Sequence, residues 1–223
     1  MNRLVISGVM MGMLTLLSAC SSTEHAPGTY RGYETPNYKV SERDGAFEIR
    51  EYAPALMAEV RTQGDRGEAV SDGFRILAGY IFGKNEPAAK VAMTSPVTQV
   101  KTTIAMTSPV TQAKDGETWL VQFMMPSQYT LETLPKAKDD RIRFFQTKAV
   151  QKAVVVFSGF TNDSAVAAET AKLKQWVEAR GLKAAGEPVI AYYDDPFTFP
   201  WNRRNEIQLA LAATSARKWT IKK

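Results

Sequence analysis

Phe74–Thr98 reads FRILAGYIFGKNEPAAKVAMTSPVT, and two periodicities meet in it. Val70, Phe74, Leu77 and Ile81 recur at spacings of three and four, so they share one face of a helix, with Ala78 in the same stripe. Asp65 predicts the N-cap and Gly83 the stop, giving a helix over Arg66–Phe82. Gly73 and Gly79 each weaken that helix by about 1 kcal/mol relative to alanine. They either leave it loosely packed or make room for a flat ligand against the backbone. Beyond Gly83 the pattern changes, and AMTSPVTQ appears twice, at Ala92–Gln99 and Ala105–Gln112. The offset of thirteen is odd. Strand side chains alternate faces, so one straight strand through both copies would send their methionines to opposite sides. A turn around Gln99–Thr103 removes the conflict and predicts a hairpin-like excursion. Either copy could occupy the sheet.

Upstream, Phe47–Tyr52 mostly alternates apolar and charged residues, close to the pattern of a half-buried strand, and Leu56–Val60 resumes the pattern after Pro54. Downstream, Thr118–Met125 reads as a strand ended by Pro126, and Ser127–Asp140 as a loop. Ile142–Phe160 holds one or two strands, of which Val154–Phe157 is apolar enough for burial on both faces. Asn162 or Asp163 caps a second helix that ends at Gly181, with Val166, Leu173, Trp176 and Val177 as its stripe. Glu187–Tyr193 and Glu206–Ala212 are the last strands, separated by the aromatic loop Asp194–Trp201. The order is strand, helix, strands, and then the same again. Two such halves imply an α+β fold, a curved antiparallel sheet or distorted β-barrel of two pseudo-symmetric halves with two packed helices.

The N-terminus reads as a secretory signal over residues 1–19, with one charge and then an apolar stretch. That stretch is too short to favour a membrane span. Cys20 is the only cysteine, and Leu17-Ser18-Ala19-Cys20 is similar to a bacterial lipoprotein box, which implies lipidation at Cys20 and, with Ser21 next, an outer-membrane address facing the periplasm. Residues 20–40 read as a polar tether, 41–213 as the folded domain and 214–223 as a basic tail. His25, the only histidine, lies in the tether. No histidine-based metal site or catalytic dyad fits inside the domain. The net charge of +5 is scattered, without the basic stripe of a nucleic-acid binder.

Phe74–Asn85 followed by Lys90–Thr98, then Phe123-Met124-Met125-Pro126-Ser127, Phe157-Ser158-Gly159, Tyr193-Asp194-Asp195-Pro196 and Pro200–Glu206, resembles the block pattern of the SOUL family, also called the haem-binding-protein family. The resemblance spans about Tyr38–Ala212. It implies a distorted barrel and non-covalent binding of haem or another tetrapyrrole in an apolar cleft beside the first helix. Carried over, the cleft residues are Phe74, Leu77, Ala78 and Ile81, with Met93 or Met106 nearby and Arg203, Arg75 or Arg204 as carboxylate partners. An apolar cleft supplies most of the affinity for such a flat hydrophobe. The chain departs from members with an axial histidine, and it offers Ser71, Thr198 and Phe199 where others place basic residues.

Two other functions compete with this binding module. The fold resembles gyrase-inhibitor-like domains, some of which hydrolyse small molecules, and Glu59, Tyr80 and Glu206 are the carboxylate and phenol choices. A hydrolase of that kind needs one carboxyl with a raised pKa. A structural lipoprotein with a closed cleft is the third reading. Arg203-Arg204-Asn205-Glu206 is either a site or a strand start whose arginine and glutamate pair.

Overall fold

The computed structural model describes residues 28–87, 90–101 and 118–212. Cys20, His25, the second repeat copy with Met106, and the basic tail lie outside the described residues. The first half of the chain runs β1 (Thr29–Tyr30), β2 (Tyr33–Glu34), β3 (Tyr38–Asp44), β4 (Phe47–Tyr52), β5 (Leu56–Gln63), α1 (Arg66–Ile81), β6 (Asn85–Glu86), β7 (Val97–Lys101) and β8 (Thr118–Met124). The second runs β9 (Lys136–Ala137), β10 (Arg143–Gln146), β11 (Val150–Phe157), α2 (Asp163–Ala179), β12 (Val189–Tyr192) and β13 (Asn205–Ala210).

Nine strands form one antiparallel sheet in the order β10-β5-β8-β7-β12-β13-β11-β4-β3. Of the two expected forms, curved sheet or barrel, the described residues show the open sheet, with β10 and β3 at its edges. The two halves are present. β5-α1-β7-β8 and β11-α2-β12-β13 have the same internal order, and β7 pairs with β12 where they meet. Each unit also takes its outer strand from the other's lead-in: β4, just before β5, pairs with β11, while β10, just before β11, pairs with β5.

Both helices cover the same face. Leu77, Tyr80 and Ile81 of α1 pack on Leu56, Ala58, Val60, Val121 and Phe123. Leu173, Trp176 and Val177 of α2 pack on Ile49, Ala153, Val155, Ile207 and Leu209. Each fully buried aliphatic side chain here contributes about 1.5–3 kcal/mol. The Asp65 carboxylate accepts from the Glu68 N–H at 2.9 Å, and the Asn162 side chain does the same for Ala165, so both predicted caps form. The helix N-termini meet through Arg66, which donates to Asp163 at 2.6 Å, to Tyr192 Oη at 2.8 Å and to the Thr161 carbonyl.

The tether reading fails from Thr29 onward. β1 and β2 form a small hairpin that buries the Tyr30 ring to 5 % exposure beside Tyr193. β3 follows as an edge strand. The first repeat copy lies in the sheet: Thr94 Oγ1 donates to the Met124 carbonyl, and Val97–Lys101 pairs with β8 on one side and, through Val97–Val100, with β12 on the other. Removal of Ala92–Ile104 should leave a folded protein. The second copy then follows Val91 directly, and Asp115-Gly116 supplies a tight-turn signal before β8. Far-UV CD and a thermal melt check this; loss of cooperative unfolding would show that both copies are structural.

Candidate functional site

The residues expected to line a cleft beside α1 divide by direction. Leu77 and Ile81 face the sheet and are closed off from solvent. Phe74 stands on one flank, 40 % exposed, with its ring edge-on to Phe123 at 5.5 Å. Ala78, one turn on, is nearly buried. The Val91 N–H donates to the Ile81 carbonyl at 2.8 Å, and from there the chain leads to Val97 beside Phe123. Met93 lies on that path, half-buried against the same apolar cluster. Phe74, Ala78 and Met93 are therefore the expected residues that the structure puts along this flank. Met106 is outside the described residues. Arg203 is elsewhere, on the second half, donating to the Thr198 and Pro196 carbonyls at 2.7 Å. Arg75 is on α1 and pairs with Asp72 at 2.7 Å.

Gly73 does not make room for a ligand. A Cβ there would sit 2.5 Å from the Val121 side chain, so the glycine lets α1 lie directly on β8. The opposite flank of α1 opens into a cleft of about 730 Å³ between Asp72, Ile76, Tyr80, Lys84 and residues 138–142. Charged side chains from Asp72, Arg75, Lys84 and Lys138–Arg141 share this cleft with Ile76, Tyr80 and Ile142. Tyr80 Oη donates to the Pro135 carbonyl at 2.8 Å, and burial pushes the phenol up to about 12.

The sheet face away from the helices carries Glu59 and Glu206 with partners that sequence reasoning missed: Arg143, Gln122, Arg50 and Lys152. Across it runs a row in register: Arg143, Glu59, Gln122, Thr98, Ala191 and Glu206. Arg143 donates to Glu59 at 2.9 Å, and Gln122 to Glu59 at 2.6 Å. Beyond Ala191 a second network is centred on Glu206, fully buried. It accepts from Arg50 at 3.0 Å, Arg204 at 2.6 Å, Gln208 at 2.9 Å and Tyr193 Oη at 3.1 Å. Burial alone would raise the Glu206 pKa, but Arg50 and Arg204 outweigh it and hold the carboxyl below its ordinary range. Burial pushes the Tyr52 and Tyr193 phenols above theirs. Arg50, 1 % exposed, also donates to Glu48 at 2.5 Å and to Tyr52 Oη at 3.1 Å, beneath the Tyr38 ring. The Arg204–Glu206 pairing expected of a strand start is present.

Lys152 lies in the same network, donating to Gln208 at 3.0 Å above the Tyr52 ring. Burial lowers its pKa from 10.5 to about 8, against the pull of Glu206. The folded value lies below the unfolded one, so between pH 8 and 10.5 the unfolded chain binds more protons and stability rises with pH. Tyr52 and Tyr193 act the other way, because their raised values remove stability above pH 10. Stability should therefore rise from pH 8 and peak near pH 10. Lys152→Met should raise it by about 1–2 kcal/mol at pH 7 and flatten the rise above pH 8. Urea titrations from pH 7 to 10 check both.

Glu59, Tyr80 and Glu206 do not form a catalytic group. Glu59 and Glu206 face away from the helices on opposite halves of the sheet, and Tyr80 belongs to α1. Glu206 has the wrong shift for a general acid. Among the described residues no three His, Cys, Asp or Glu side chains gather as metal ligands.

At the β4 end of the same sheet face is a second cleft, of about 580 Å³. Glu48, Arg50 and Val156 form its floor, and Tyr30, Arg31, Tyr38, Arg43 and Asn202–Arg204 its walls.

Comparison with known proteins agrees with this architecture. Two solved structures share it: the EcmrR C-terminal domain (TM-score 0.55, 13 % identity, 79 % of this chain and 99 % of that one) and a hydrolase from Listeria innocua (0.52, 14 %, 77 % and 94 %). At such identities they show the fold alone. Heme-binding protein 2 of Homo sapiens is 41 % identical over 70 residues, 29 % of this chain, and the match spans only 34 % of that protein's length. Heme-binding protein 1 of Xenopus tropicalis is 27 % identical over 168 residues, 74 % of this chain and 84 % of that protein. The profile of the SOUL heme-binding protein family matches residues 33–210, nearly the whole folded region, and the chain belongs to that family.

Proposed function

We propose that this protein binds a tetrapyrrole, haem or its metal-free parent, on the Phe74 flank of α1, and that it does so attached to the outer membrane through Cys20, facing the periplasm. The observation that carries the site is Phe74 itself. It is 40 % exposed while Leu77 and Ile81 of the same stripe are buried, and its ring stands edge-on to Phe123. Met93 and the backbone from Val91 to Val97 border the same flank. A flat apolar macrocycle is the ligand that such a surface suits. Bound haem would bring a redox-active iron, for which Met93 would be a weak ligand. Affinity therefore comes from contact with the ring, and iron adds little. The anchor rests on the Leu17–Cys20 box.

Titrating the full chain with ferric haem and with protoporphyrin, followed by absorbance and tryptophan quenching, tests this. Both should saturate with similar affinity, and Phe74→Arg should weaken both by at least about tenfold, or 1.4 kcal/mol. Binding of ferric haem alone would show iron ligation. No saturable binding of either would end the tetrapyrrole reading. Cys20→Ser should release the chain from the membrane fraction.

A further inference from the structure

We infer that the cleft between β3, β4 and the Asn202–Arg204 segment is an anion site for a phosphomonoester, free or as a lipid headgroup. Five guanidinium groups line it, from Arg31, Arg43, Arg50, Arg203 and Arg204. Three carboxylates answer them. Glu48 pairs with Arg43 and Arg50, Glu206 with Arg50 and Arg204, and Asp194 with Arg31. Among the described residues Arg203 donates only to backbone carbonyls. Five positive charges against three negative leave an excess of two, which matches a phosphate monoester carrying about −1.5 to −2 at neutral pH.

The site is built rather than merely charged. Arg50 is fixed at the floor by Glu48 and Glu206 through Nε and Nη1, while its Nη2 has no acceptor among the described residues. A planar guanidinium with a donor to spare suits a phosphate oxygen. Arg31 and Arg43 sit at the mouth, each about half-exposed and paired with Asp194 and Glu48. The cleft wall also continues into exposed aromatics. Trp201 precedes Asn202 and stacks on Phe199 at 4.9 Å, and Phe160 follows Ser158 by two residues. Aromatic side chains beside cationic ones are the chemistry of a lipid headgroup layer.

The test uses the full chain carrying Cys20→Ser, so that no lipid anchor intervenes. One arm is calorimetry with glycerol 3-phosphate. The other is flotation with phosphatidylcholine vesicles, with and without phosphatidic acid. At least one arm should show saturable binding, and Arg31→Gln and Arg43→Gln should each weaken it about tenfold. Lys138→Gln, which removes the same charge from the cleft beside α1, should leave it unchanged. Binding to glycerol 3-phosphate assigns a free ester, and binding only to phosphatidic acid vesicles assigns a lipid headgroup. Binding in neither arm overturns the inference, as does equal loss from all three variants. The cleft lies on the other half and face from Phe74, so its failure leaves the tetrapyrrole reading standing.

Discussion

Glu206→Gln should destabilise the protein by about 3–5 kcal/mol, the cost of leaving a buried charge without its partner. The carboxylate accepts from two arginines, a glutamine and a tyrosine in a space closed to water. An amide turns one of those acceptor oxygens into a donor aimed at other donors. Arg50 then keeps only Glu48 as a carboxylate partner, and Arg204 keeps none. At about 2–4 °C per kcal/mol for a domain of this size, the melting temperature should fall by about 10 °C. The loss should depend on pH. The folded pKa of Glu206 is depressed, so its contribution is complete above the unfolded value of 4.5 and disappears as pH falls through the folded value. The gap between parent and variant should therefore narrow in acid. A gap unchanged down to pH 3 would mean that Glu206 acts by shape rather than by charge.

Gly73→Ala should destabilise by about 1–3 kcal/mol, although the same change in an exposed helix stabilises by about 1 kcal/mol. The new methyl group would lie 2.5 Å from both Cβ and Cγ2 of Val121, on a strand that cannot yield without moving its neighbours β5 and β7. Either α1 lifts from the sheet or the strand bends. A double-mutant cycle with Val121→Gly, which removes both of those atoms, isolates the contact and should show a favourable coupling of about 1 kcal/mol or more. Gly79→Ala is the comparison. Its methyl would meet the end of the flexible Lys84 side chain, which can swing away, so the ordinary helix gain should appear. A destabilised Gly79→Ala and a stabilised Gly73→Ala would reverse the packing account of α1.

The helices were legible because their signals are local. Asp65 caps and the three- and four-residue spacing both show within one stretch of chain, and α1 begins and ends within a residue of its predicted limits. β3 was not legible. Its sequence YKVSERD has only two apolar side chains and is largely exposed, as an edge strand can be, so no period-two pattern marks it. The polar network was illegible for another reason. Glu48, Arg50 and Tyr52 alternate with apolar residues as a half-buried strand does, which points the charged set toward water. They are buried because residues from the far end of the chain close over them, and Arg50 meets Glu206 across 156 positions. Family resemblance indicated α1 as the place to look for a ligand. It could not separate Phe74, on the flank, from Leu77 and Ile81, beneath it, since all four stripe residues satisfy the same helical spacing.

The traded lead-in strands have a consequence for how the chain folds. Neither half can complete its own sheet, because β4 and β10 each finish the other's work. A cut in the 127–135 loop would give two fragments, each missing a strand and each exposing an unsatisfied strand edge, with a pairing partner available only in the other piece. Such fragments should aggregate alone and reconstitute when mixed. In the intact chain the same interlock ties early residues to late ones, favouring slow, all-or-none assembly over stepwise folding of one half and then the other.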